Sequence, residues 1–90
     1  MVARHFRISG RVQAVGFRFY TLDAAEREGI AGTVRNTPDG GVEISAEGEA
    51  EAMERFERAL RRGPRGARVE SVDTEDALPT GRFVTFTIAT

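Results

Sequence analysis

Hydrophobic residues recur along this 90-residue chain at two spacings, and the spacings alternate in a set order. Phe6 and Ile8 stand two apart in His5-Phe6-Arg7-Ile8-Ser9, the period of a half-buried strand. From Phe17 to Glu28 glycine and proline vanish, and Phe17, Tyr20, Thr21, Ala24 and Ala25 recur at helical spacing, with Gly29 as a stop. Ile30 to Asn36 reads as a second strand. Thr37-Pro38-Asp39-Gly40-Gly41 reads as a turn, because Pro fixes one backbone angle and Gly permits positive ones. Val42, Ile44 and Ala46 then alternate with Glu43, Ser45 and Glu47, so residues 30–48 form a hairpin. A second helix carries one apolar stripe of Ala52, Met53, Phe56, Ala59 and Leu60. Its other face pairs Glu51/Arg55, Glu54/Arg58 and Glu57/Arg61 at i,i+4, acid first, and Gly63-Pro64 ends it. Residues 67–74 read as a fourth strand in which Val69 and Val72 have opposite parity, which predicts a bulge. Val84, Phe86 and Ile88 alternate again as a short extra strand near the end.

The order strand, helix, strand, strand, helix, strand is a split βαβ pattern. It predicts an α+β, two-layer sandwich of the ferredoxin-like kind, with a mostly antiparallel sheet and both helices on one face. Residues 1–90 are expected to make one domain, since this length supports a single core. This fold hosts many functions, so function must be argued from particular residues.

Composition removes several classes. The net charge of −1 gives no basic field to draw nucleic acid or anionic lipid. Cysteine is absent, which excludes a disulfide scaffold and any thiolate metal site. No apolar run approaches the roughly 20 residues of a membrane span, and MVARHFRI has no secretory apolar region. A cytoplasmic monomer without membrane or nucleic-acid partners is the expectation. All thirteen basic residues are arginine, which reads as a compositional or stability bias.

The turn between the first strand and the first helix offers the most chemistry. A helix start leaves unpaired N–H groups at the positive end of a dipole. With Gly10 and Gly16, the chain can curl so that successive N–H groups point inward as an anion nest. Arg18, in the first helical turn, can bring a planar fork with a permanent charge over the same space, which suits two phosphate oxygens. Taken alone, the spacing also fits a tight connection beside a solvated arginine, and it matches neither a Walker loop nor GxGxxG. Asn36 is a second candidate. It can initiate the following turn, or hold a water by donating and accepting hydrogen bonds. The expected strand order interleaves strands one and three and sets two beside three, so the first turn and the end of strand two can share one edge of the sheet.

Gly10-Arg11-Val12-Gln13-Ala14-Val15-Gly16-Phe17-Arg18 resembles the first signature of the acylphosphatase family, a Gly-x-Val-Gln-Gly-Val-x-Phe-Arg string. Gly32, Asn36, Gly40, Val42 and Gly48 fall at the spacing of the second, closed by Ala-Glu-Gly at 46–48. The resemblance spans almost the whole chain. It implies hydrolysis of a carboxyl–phosphate anhydride, with Arg18 binding the phosphoryl group and Asn36 orienting the attacking water. The N–H groups of Gln13, Ala14, Val15, Gly16, Phe17 and Arg18 would hold the remaining oxygens. It implies no cofactor and no metal. Small acyl phosphates would be substrates, and inorganic phosphate or sulfate would compete with them. Two positions depart from the pattern: Ala14 replaces a glycine, and Thr33 replaces an aromatic residue.

A non-catalytic phosphate- or anion-binding module of the same fold is the alternative. An RNA-binding sheet is disfavoured because the six Phe and one Tyr sit mostly at core parities. His5 reads as a structural or surface residue. Asp39 and Glu43 read as hairpin surface, Arg11 and Arg35 as solvated charges with a broader positive field for an anion as the alternative, and Arg61, Arg62, Arg65 and Arg68 as a basic helix end.

Overall fold

A computed structural model describes residues 1–89. Strands β1 (Val2–Arg11), β2 (Ala31–Asn36), β3 (Val42–Gly48), β4 (Arg68–Ala77) and β5 (Phe86–Ile88) alternate with helices α1 (Phe17–Glu28) and α2 (Ala50–Arg62) in the expected order. They form one sheet in the order β4-β1-β3-β2-β5. β1 through β4 pair antiparallel, and β5 joins β2 in parallel. β1 and β2 therefore run the same way with β3 between them, and both end at the same end of the sheet.

The alternation is satisfied as burial. Phe6, Ile8, Val34, Val42, Ile44 and Ala46 point to one face, where Phe17, Ala24 and Ala25 of α1 and Met53, Phe56 and Leu60 of α2 cover them. Phe56 lies edge-on to both Phe6 and Phe86, at centroid distances of 5.9 and 6.0 Å. Tyr20 is half-buried, and its hydroxyl donates to the Ala59 carbonyl at 2.7 Å, so the two helices are joined by a hydrogen bond as well as by apolar contact.

β1 is longer than the pattern Phe6/Ile8 implied, because its flanking residues pair with β3 and β4 despite their charge. β4 likewise runs three residues past the expected end. Its bulge is present: Ser9 faces Ser71 while Gly10 faces Val69, leaving Glu70 as the extra residue. That slip accounts for the opposite parity of Val69 and Val72. Val84 does not belong to the last strand. It is 96% exposed, and pairing with β2 begins only at Phe86.

Of the three ion pairs expected along α2, Glu57–Arg61 forms, at 2.9 Å. Arg55 instead reaches Glu28 of α1 at 2.7 Å, and Glu54 lies 3.5 Å from Arg4 of β1. Partners on neighbouring elements take these side chains from their own helix.

The opposite face of the sheet is polar. Glu43 sits at its centre, accepting from Arg7 at 2.8 Å and from Arg35, with His5 3.8 Å away. The bond from Arg7, then that from Arg35, holds the Glu43 carboxyl below the usual glutamate range. Glu43 and Arg35 are thus members of one network, not the separate solvated charges that their hairpin positions suggest.

Candidate active site

The turn between β1 and α1 has the backbone of an anion nest. Ala14 has φ 61° and Gly16 has φ 76°, while no other non-glycine residue described has positive φ, so the sign of φ alternates from Gln13 to Phe17. Alternation of this kind turns successive N–H groups toward a common hollow. Among the described residues, no turn or loop backbone hydrogen bond uses the N–H of residues 13–16; the first bond of this turn is Tyr20 N–H to the Gly16 carbonyl, at 3.0 Å. Gly16 caps α1 without a side-chain bond, and the first turn holds no acidic residue. The positive end of the helix dipole is thus left facing this turn. Val12 and Phe17, buried at either side, pin the turn to the core.

Arg18 lies in that first helical turn and is half-buried. It forms no ion pair among the described residues, whereas Arg4, Arg7, Arg27, Arg35, Arg55 and Arg61 all do. A guanidinium with no carboxylate partner among the described residues, beside orphan N–H groups, leaves a concentration of positive charge and donors suited to a phosphoryl group.

Asn36 ends β2 with the parity of Val34, on the helix side of the sheet. Its Oδ1 is buried and accepts no hydrogen bond from any described residue. A turn-forming asparagine would spend its side chain on the turn. Here Thr37 and Asp39 do that: the Gly41 N–H donates to Thr37 Oγ1 at 3.0 Å and to Asp39 Oδ1 at 3.3 Å. Thr37 Oγ1 in turn donates to Asp39, and this bond, followed by that from Gly41, holds the Asp39 carboxyl below its usual range.

Sequence reasoning placed Gln13 here only as a backbone donor. Its side chain does more. Gln13 Nε2 donates to the carbonyls of Thr37 and Gly41, at 2.8 and 2.9 Å, and so spans from the first turn to the hairpin that follows Asn36. The two candidate segments are thereby linked directly. Glu47 was likewise read only as a polar-face strand residue and part of a motif. It is buried, and its carboxylate accepts the N–H and the hydroxyl of Thr80 and the N–H of Gly81, anchoring the segment between β4 and β5. Its two-residue parity with Ser45 and Glu43 marked it for the polar face, but no local signal indicated its partners.

The two departures fall in different places. Ala14 occupies a left-handed position within the nest. Thr33 is on the polar face, between Ser45 of β3 and Thr87 of β5, on the side of the sheet away from Asn36. Among the described residues no cluster of three or more His, Asp or Glu side chains is arranged to hold a metal ion.

Residues 4–88 match the acylphosphatase family profile. The chain belongs to the acylphosphatase family. An acylphosphatase of Pseudomonas paraeruginosa is 53% identical over 78 residues, covering 87% of this chain and 85% of that one. One from Thermotoga petrophila is 42% identical over 98% of this chain and 97% of its own. The crystal structure of an acylphosphatase from Bacillus subtilis covers all of both chains, with a TM-score of 0.97 at 32% identity. The resemblance carried by residues 10–18 and 32–48 thus extends through the whole acylphosphatase fold, both helices and the added β5 included.

Proposed function

We propose that this chain is an acylphosphatase, hydrolysing small acyl phosphates to carboxylate and phosphate, with Arg18 and Asn36 as its catalytic residues. The observation that carries the assignment is the buried Asn36 Oδ1, without a partner among the described residues, at the end of the sheet to which Gln13 ties the nest. A turn-forming role does not explain that atom; a water held there does.

The chemistry follows from the parts. N–H groups of Gln13, Ala14, Val15, Gly16, Phe17 and Arg18 hold the phosphoryl oxygens, and the Arg18 fork engages two of them. Asn36 fixes one water opposite the leaving carboxylate. The water oxygen bonds to phosphorus as the bond to the acyl oxygen breaks, and the carboxylate leaves with that electron pair. The water's proton passes to a phosphoryl oxygen of the substrate. The transition state is loose and spreads charge over the equatorial oxygens, so positioning and fixed donors suffice. No step requires a metal or a protein nucleophile.

Inorganic phosphate and sulfate present the same oxygens and compete for the nest. The acyl moiety lies outside it. The protein acts as a cytoplasmic monomer in this reading, and no helix in the described structure is long and apolar enough to cross a membrane.

Phosphate release from benzoyl phosphate or acetyl phosphate by purified protein, with chelator present, is the direct test. Turnover that persists under exhaustive chelation is expected. Activity abolished by chelation and restored by one divalent ion would overturn the metal-free scheme, and phosphate binding without turnover would favour a non-catalytic module.

A further inference from the structure

We infer that the Gln13 side chain is a positioning residue, setting the distance between the phosphate-binding nest and the water-holding Asn36; this rests on the function proposed above. Its amide nitrogen carries two hydrogens, and each has its own carbonyl, Thr37 O and Gly41 O. These two residues flank the terminal pair of the hairpin, Asn36 opposite Val42. Gln13 therefore grips both strands where they enter the turn, one residue away from Asn36.

The hairpin does not need Gln13 in order to form. Thr37 N–H donates to the Gly41 carbonyl at 2.9 Å, and Gly40 N–H to the Thr37 carbonyl at 3.1 Å. Both carbonyls thus already have a partner within the turn, and each uses its second lone pair for Gln13. What the glutamine adds is a fixed spacing between two separately stable turns. The requirement is specific: two donors on one planar group, at the length of this side chain. Glutamate would present only acceptors to the two carbonyls when ionised. Methionine keeps length and volume but has no donor.

The consequence is a division of effects. The nest is built by the φ angles of residues 13–17 and survives loss of the side-chain bonds. The alignment of water with bound phosphoryl group does not. Gln13→Met is expected to lower kcat tenfold or more while the inhibition constant for inorganic phosphate stays within twofold, with Gln13→Glu lower still. The decisive measurement is a double-mutant cycle with Asn36→Ala. If Gln13 acts through Asn36, Gln13→Met lowers kcat by less than twofold once Asn36 is alanine. Thermal melts on all variants separate this from unfolding. Equal fold-losses in both backgrounds, an unchanged kcat in Gln13→Met, or a loss that tracks melting would overturn the inference while leaving the acylphosphatase assignment intact. A wild-type protein that releases no phosphate would overturn both.

Discussion

Glu47 receives both donors of Thr80, its N–H at 3.0 Å and its hydroxyl at 2.8 Å, across the polar face of the sheet. The N–H of Gly81 adds a third bond, at 3.1 Å. The bonds from Thr80, ahead of that from Gly81, hold the carboxyl below the usual glutamate range and outweigh the opposing effect of its burial. The lowered value means that Glu47 contributes stability above its unfolded pKa, about 4.3, and loses it as pH falls through the lower folded value. Glu47→Gln is therefore expected to melt earlier than wild type at pH 7. The gap in Tm should begin to narrow below about pH 4 and close as pH falls below the lowered folded value. A gap that persists unchanged to pH 2 would show that the charge of Glu47 is not what holds residues 80–81.

Ala14 pays for its place in the nest with a left-handed backbone at φ 61°. The Cβ makes that conformation cost roughly 1–2 kcal/mol, against which glycine would lose about 0.5–1 kcal/mol of unfolded-chain entropy. Ala14→Gly is expected to leave stability equal or raised by up to about 1.5 kcal/mol, and to bind phosphate at least as tightly. Denaturant melts and phosphate inhibition on the two proteins check both halves.

Arg18 and Asn36 are expected to fail differently. Arg18 meets the phosphoryl group before and during reaction, so Arg18→Lys, which keeps charge but loses the fork, and Arg18→Gln, which loses both, should cut kcat/KM severely and weaken phosphate inhibition, Gln more than Lys. Asn36→Ala should collapse kcat while phosphate affinity stays within a few-fold, the signature of an interaction realised in the transition state. A fully active Asn36→Ala would return that residue to the role of turn former.

Gly32 has no space for a side chain. A Cβ there would lie 1.8 Å from the Ser45 carbonyl oxygen, at φ 149°. Backbone would have to move on both β2 and β3, and Gly32 also takes part in the pairing with β5. Gly32→Ala is expected to destabilise by more than about 3 kcal/mol, at the large end for single changes. Gly40→Ala, whose Cβ would meet nothing within 4 Å, should cost only the strain of its φ of 94°. Equilibrium unfolding of both variants tests the ranking.

Element order was legible because each element carries its own period. Phe6/Ile8 and Val42/Ile44/Ala46 repeat in twos, and Ala52 through Leu60 follow the helix. Even the bulge at Glu70 was readable, as a break in parity between Val69 and Val72. Pairing of side chains was not. Glu51/Arg55 and Glu54/Arg58 satisfy the helical spacing, but Arg55 and Glu54 meet Glu28 and Arg4 in space, and only the fold brings those within reach. At the site, Arg18 and Asn36 were marked by position and motif, whereas the Gln13 side chain bridges 24 and 28 residues of sequence. Such bonds leave no local pattern. Val84 had the right parity for a strand, but the ladder with β2 starts at Phe86 and leaves Val84 exposed.

The bulge in β4 also bears on how copies of this protein meet. β4 is an outer strand of the sheet, ten residues long, and its unpaired edge is a template on which another chain could add. The extra residue at position 70 twists that edge out of register with any straight strand laid beside it. Glu70, Asp73 and Glu75 line the same strand, all exposed. Two such edges brought together at neutral pH would set carboxylate against carboxylate. The outer strand at the other side, β5, is three residues long and gives too short a ladder to recruit a partner. Both margins are thus guarded against sheet-to-sheet growth, one by irregular backbone and negative charge and the other by brevity, and on the long margin the charge part of that guard weakens as acid protonates its carboxylates.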